Sequence, residues 1–375
     1  MFPMALAAGP LCLRPGTKAC ALSIGVRLDA SGGIDYDDDN DTNPAVIITP
    51  SYVNTERLTY RQVDRILCDP SEFYSMHGEE EVEDSAVDGM AESRPEMWDQ
   101  LRRLKYVADR RLEWRKAGGS LESVGDYELP DMSVKVYPTP PEATTGDGWE
   151  VAITARKRFT ASRIVTELML LANEAIAMYG NINSIPLPYR SQKTFSVSDE
   201  TIDATPAGPC RSWLAIRSAT KTLVSANGEW AHEGLGLDAY VQATSPVRRF
   251  GDLSVHYQLK AFLRGEITDL PFTAGVEEDN DDNGTKEDIV QLSQKAGSMA
   301  RQLERSANDY WLKEYLRRRA GEPVSVFILG ADRKLRNTYK VLLPDLGAIF
   351  DYTSSRPLEV GSQIEMIPGQ SGLLI

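Results

Sequence analysis

The residues best placed to do chemistry lie in one stretch, from His232 to His256. It reads His232-Glu-Gly-Leu-Gly-Leu-Asp-Ala-Tyr240-Val-Gln-Ala-Thr244-Ser245-Pro246-Val-Arg248-Arg249-Phe-Gly-Asp252-Leu-Ser-Val-His256. Thr-Ser-Pro at a helix start offers hydroxyls and unpaired N–H groups where an anion can dock. Arg248 and Arg249 in the first turn would strengthen such a phosphate site with bidentate hydrogen bonds. Asp252, His256 and Lys260 then recur at four-residue spacing on one helical face. The same residues also suit an ordinary capped helix in which Arg248 or Arg249 pairs with Asp252. Spacing alone leaves both readings open.

Other chemistries are absent from the sequence. It holds no G-x-G-x-x-G, no Walker A string, no G-x-S-x-G elbow and no H-E-x-x-H. Cys12, Cys20, Cys68 and Cys210 have no C-x-x-C spacing, and the histidines are His77, His232 and His256, too scattered for a structural zinc. Free thiols are the expectation, because a chain this long builds its own cores. Asp35, Asp37, Asp39 and Asp41 imitate the start of a calcium loop, but Asn40 stands where the turn glycine belongs and Val46 where the bidentate glutamate belongs.

The elements that must carry the central stretch follow from periodicity. Residues 18–34 and 44–53 read as two strands joined by an acidic loop, and Arg57-Leu-Thr-Tyr60 leads into a short helix through Leu67. Leu101, Leu104, Val107, Ala108 and Leu112 space a helix from Trp98 to Trp114, and residues 117–160 read as strands and loops. The strongest helix is capped by Thr160 or Ser162, has one apolar face from Ile164 to Met178, and stops at Gly180-Asn181. Residues 252–264 and 288–319 form two more, the second basic in its C-terminal half. Val324–Leu329, Tyr339–Leu343, Ala348–Tyr352 and Gln363–Ile367 read as strands of a small OB-like β-barrel, incomplete at this length.

The chain has 375 residues, 42% of them apolar, and a net charge of −14, which at first argues against a nucleic-acid partner. Three acidic runs reverse that reading. Residues 35–41, 79–92 and 277–288 together carry −18, leaving the remainder at +4, so an RNA or DNA partner stays open. Runs this dense read as solvated loops; as docking sites for basic partners they would make the chain a scaffold. The apolar start, Met1 to Leu13, lacks a basic region ahead of it and is broken by Pro3 and Pro10, unlike a signal peptide.

The central string closely resembles the catalytic (RNB) domain of the RNase II family of exoribonucleases. The resemblance extends to Pro3-Met4-Ala-Leu-Ala, to Arg57-Leu-Thr-Tyr60, to Arg163 through Glu167-Leu-Met-Leu-Leu-Ala-Asn173, and to Glu304-Arg305-Ser306…Tyr310-Trp311. It implies an α+β fold, an RNB domain of sheet and helices around an RNA channel over 1–320, followed by an OB-like barrel over 321–375. It implies Mg²⁺-dependent, processive 3′-to-5′ hydrolysis of single-stranded RNA to nucleoside monophosphates. The wording of the first segments is most similar to an organellar and cyanobacterial branch, which implies a chloroplast or mitochondrion.

Residue by residue, the resemblance puts Arg248 at the scissile phosphate, Tyr60 beside the ribose, and Glu167 on the adjoining helix. Thr244 and Ser245 would dock a backbone phosphate, and Glu304 with Arg305 would line the far channel wall. Arg163, His232, Tyr240 and Arg249 belong to the matched strings and count with them as RNA-binding. For Glu167 the local alternative is an i, i+4 pair with Arg163. The family's aspartate cluster, D-x-x-x-x-x-D-x-D-D, precedes the Pro-Met-Ala-Leu-Ala segment at which this sequence opens, so no metal ligand is assigned here. A catalytically dead RNA-binding protein that keeps the channel is the alternative reading. Two departures weaken base and ribose contacts: Gly119-Ser-Leu-Glu-Ser123 lacks the family's aromatic ring, and Thr166-Glu167 stands where it has two glutamates.

Overall fold

The computed structural model describes residues 2–36, 44–77, 95–124, 129–138, 148–156, 159–194, 197–225, 231–266, 289–332, 335–369 and 371–372, without the side chains of 289–293. The acidic runs at 79–92 and 277–288, and most of that at 35–41, fall outside them. Helices are α1 (Met4–Ala7), α2 (Tyr60–Leu67), α3 (Pro70–His77), α4 (Pro95–Ala117), α5 (Thr160–Ile182), α6 (Asp199–Ala204), α7 (Pro209–Ser218), α8 (Phe250–Leu263) and α9 (Ile289–Arg318). Strands are β1 (Lys18–Val26), β2 (Val46–Asn54), β3 (Met132–Pro138), β4 (Trp149–Ala155), β5 (Tyr189–Ser191), β6 (Leu223–Ser225), β7 (Val324–Ala331), β8 (Thr338–Leu343), β9 (Ala348–Thr353) and β10 (Gln363–Met366). The strands pair antiparallel in separate small sheets, so the fold is α+β. Contacts divide the chain into two compact units: 1–120 with 158–194 and 220–294, and 121–157 with 195–219 and 295–375.

In the first unit β1 and β2 form a hairpin in register from Lys18↔Asn54 to Val26↔Val46. Alternation decides its faces: Val46 and Ile48 are buried, while Ile47 between them is exposed. They pack with Ala175, Ile176 and Ala177 of α5, Leu187 and Val241 of the loops, and Val255 and Leu259 of α8. Helix α2 opens with a capping box, in which the Thr59 hydroxyl accepts from Gln62 N–H and the Gln62 side chain accepts from Thr59 N–H.

Helix α5 departs from the sequence reading at both ends. Its cap is Phe159, whose N–H donates to Ser162 Oγ at 3.1 Å, and the buried Asp64 of α2 accepts from Ala161 N–H at 2.7 Å. A cap supplied from another helix carries no local signal. At the other end the helix runs through Gly180 to Ile182. Gly180 is there for space: a Cβ would lie 2.3 Å from Leu187 Cδ1 and 3.1 Å from the Tyr189 hydroxyl.

The second unit is built on a four-stranded sheet of order β10-β7-β8-β9. The four strands of this sheet fall where alternation places them. Val326, Ile328, Val341 and Leu343 pack against Leu312 and Leu316 of α9 and Ile153 of the β3–β4 hairpin. Among the described residues no helix is long and apolar enough to cross a membrane.

Candidate RNA-facing site

The stretch from Tyr240 to Arg249 belongs to the first unit, and polar side chains of two helices, one buried and one half-buried, hold it in place. Asn173 of α5 donates from Nδ2 to the Tyr240 hydroxyl at 3.2 Å and accepts Ala243 N–H on Oδ1 at 2.9 Å. His256 Nε2 of α8 bonds the Ala243 carbonyl at 2.8 Å, so both polar groups of that residue are satisfied. Burial lowers the His256 pKa, which keeps the ring neutral with Nε2–H as the donor. The Ser245 carbonyl then accepts from the N–H of Arg248 and of Arg249, closing a turn that leads into α8.

Asp252 ties that turn from below. Its buried Oδ2 accepts Ser245 N–H at 2.8 Å and pairs with the Arg249 guanidinium at 2.7 Å. Arg249 also donates to Thr244 Oγ1 at 3.3 Å. The choice left open by the spacing falls on Arg249 as the internal partner. Of the groups expected to meet an anion, Ser245 N–H and Thr244 Oγ1 are already engaged within the protein. Arg248 is exposed, and its guanidinium has no hydrogen-bond or ion-pair partner among the described residues. The arrangement presents one unpaired guanidinium from a backbone fixed on both sides.

His232 and Tyr240 lie beneath this stretch. His232 is 8% exposed, and its ring meets Tyr240 edge-on at 5.3 Å. Burial, aided by the nearby Arg190 charge, pushes its pKa down to about 4, so the ring is neutral at neutral pH. Neither is at the surface, and a neutral buried imidazole offers no charge to a phosphate.

Tyr60, at the first turn of α2, is 46% exposed and stacks at a tilt on Phe159, ring centroids 5.9 Å apart. Arg163 is exposed on α5. Glu167 does not pair with it. It is 2% exposed and held by Arg115 of α4, with Nε to Oε2 at 3.0 Å and Nη2 to Oε1 at 2.5 Å. One turn away Arg111 pairs with Glu174 and donates to the Gly32 carbonyl at 2.7 Å. The sequence reading missed Arg111 and Arg115, whose four-residue spacing on a charged helix looks like solvated surface. Glu304 and Arg305 are exposed on the part of α9 that belongs to the second unit.

Among the described residues no group of three or more His, Cys, Asp or Glu side chains is arranged to hold a metal ion. The described residues therefore do not fit the Mg²⁺ that the resemblance implies.

Known proteins bear on this geometry. Residues 1–265 match the family model for the RNB domain. An uncharacterized ribonuclease of Synechocystis sp. is 31% identical over 369 residues, covering 98% of this chain and 46% of that protein. The chloroplastic/mitochondrial ribonuclease II of Arabidopsis thaliana is 30% identical over 369 residues, covering 98% of this chain and 39% of that protein. The chain thus spans less than half the length of these curated relatives. A solved structure of Mycoplasma genitalium RNase R in complex with ribose-methylated single-stranded RNA has the same fold, with a TM-score of 0.64 at 16% identity over 100% of this chain and 60% of that one. With a family match over most of its length, the chain belongs to the RNB-domain family, that of ribonuclease II.

Proposed function

We propose that the chain serves as part of an RNase II-type exoribonuclease that hydrolyses single-stranded RNA from the 3′ end to nucleoside monophosphates. The observation that carries this reading is Arg248, an unpaired, exposed guanidinium on a turn fixed by Asn173, His256 and Asp252. Arg248 faces the scissile phosphate and stabilises the negative charge that grows there in the transition state. The backbone that carries this donor is fixed beforehand, which limits the reorganisation needed as the charge develops. Tyr60, with Phe159 behind it, offers an aromatic surface to the nucleotide, and the Ser245 hydroxyl and Arg163 guanidinium are placed for backbone phosphates. His232, Tyr240, Thr244 and Arg249 support the turn; Glu304 and Arg305 contribute from α9.

Mg²⁺ belongs to the proposal through family resemblance alone. We assign residues 1–320 to the RNB portion and 321–375 to the OB-like portion. A chloroplast or mitochondrion is the proposed compartment, supported by the name of the Arabidopsis relative. An RNA-binding pseudoenzyme that keeps the Arg248 turn is the second reading.

The test is digestion of a 5′-labelled single-stranded RNA in Mg²⁺ by the longer protein of which this chain is proposed to be part, with release of monophosphates and stepwise shortening from the 3′ end. Arg248→Ala should slow it by about 10²–10³-fold. Binding without Mg²⁺-dependent release would replace the first reading with the second; neither binding nor release would refute both.

A further inference from the structure

The C-terminal end of α4 is joined to the loop that leads into the Arg248 stretch. Arg115 is 0% exposed and divides its donors between two elements. Nε and Nη2 take both oxygens of Glu167 on α5, while Nη1 donates to the Leu235 carbonyl at 3.0 Å. The backbones meet as well. Gly236 has φ of +67°, and a Cβ there would lie 2.4 Å from the Arg115 carbonyl oxygen; one at Gly118 would lie 3.2 Å from the Gly236 oxygen. The same loop carries His232, whose ring abuts Tyr240, where the fixed stretch begins.

We infer that Arg115 is a positioning residue for Arg248: it fixes the 232–237 loop to α5 and so sets where the following turn stands. The inference rests on the RNA-facing reading of that turn. Glu167, with both oxygens in the Arg115 fork, orients the guanidinium instead of touching a ribose. Only a planar fork can reach a carboxylate and a carbonyl together; a lysine ammonium would keep the charge but lose this geometry.

The test uses the whole chain with Arg115→Lys, Glu167→Gln and the double variant, since truncation to alanine could unfold it. Two readouts are taken: affinity for a fluorescent single-stranded RNA and its DNA counterpart, and amide hydrogen exchange at residues 235–237. Each single variant should lose about tenfold in affinity, the effect of one charge-assisted hydrogen bond. The double variant should lose no more than either single, and RNA and DNA should lose equally. Exchange at 235–237 should quicken while that of α8 holds. Faster exchange with RNA affinity within twofold of the parent would overturn the positioning role. A loss confined to RNA would also overturn it, showing that Glu167 contacts the ribose. If the parent itself binds no RNA, the function reading fails, and unchanged exchange would then separately refute the tether.

Discussion

Replacing Asp252 with alanine tests whether the turn is held as described. The buried Oδ2 accepts the Ser245 N–H and pairs with Arg249, so the variant strands a backbone donor and unpairs a guanidinium. An unsatisfied donor of this kind costs about 1–3 kcal/mol. The ion pair adds less, about 1 kcal/mol, because Arg249 is 31% exposed and water screens it. The expected loss is therefore about 3 kcal/mol, read as a lower urea midpoint at unchanged slope. Asp252→Asn keeps an acceptor for Ser245 N–H and should recover about half. RNA affinity, measured where both proteins are folded, should fall along with that of Arg248→Ala. An alanine variant within about 0.5 kcal/mol of the parent, with normal RNA affinity, would refute the claim that Asp252 fixes the turn.

Two further expectations concern the buried supports. The His232 pKa lies at about 4 in the fold against about 6.5 unfolded, so the unfolded chain binds more protons between those values. Stability attributable to this group is present above pH 6.5 and declines by about 3 kcal/mol as pH falls to 4; urea midpoints of His232→Gln should show a shallower acid slope than the parent, and parallel slopes would contradict it. His256, lowered by burial in the same direction, remains in both proteins. Gly180→Ala should destabilise by about 1–2 kcal/mol despite alanine's better helix propensity, because the added carbon meets fully buried Leu187. A rise in melting temperature would show that Leu187 can yield.

How much of this was legible in the sequence depended on whether the determinant was local. The start of α2 and the strands β7 to β10 declare themselves through alternation and turn residues, and the structure has them within a residue or two; the β1–β2 pair was also legible, but β1 stops at Val26 instead of running on to 34. Gly180 misled because a helix-ending glycine and a close-approach glycine look alike until Leu187 is seen above it. Glu167 misled for a related reason. The i, i+4 rule offers Arg163, whereas the partner is Arg115, 52 residues away and buried. The Asp252–His256–Lys260 spacing was correct as a helical face, yet His256 spends its ring on the Ala243 carbonyl, which no spacing rule anticipates. Spacing could not choose between Arg248 and Arg249 as the partner of Asp252; the structure gives that pairing to Arg249.

The central claim is that the fixed turn presents Arg248 to an RNA phosphate. Its most direct test is equilibrium binding of a labelled single-stranded RNA to the chain and to Arg248→Ala across a salt series. The account predicts at least about tenfold weaker binding for the variant, with a salt slope shallower by about 0.7, and an unchanged urea midpoint. Equal affinity and equal salt slope for the two proteins would contradict it.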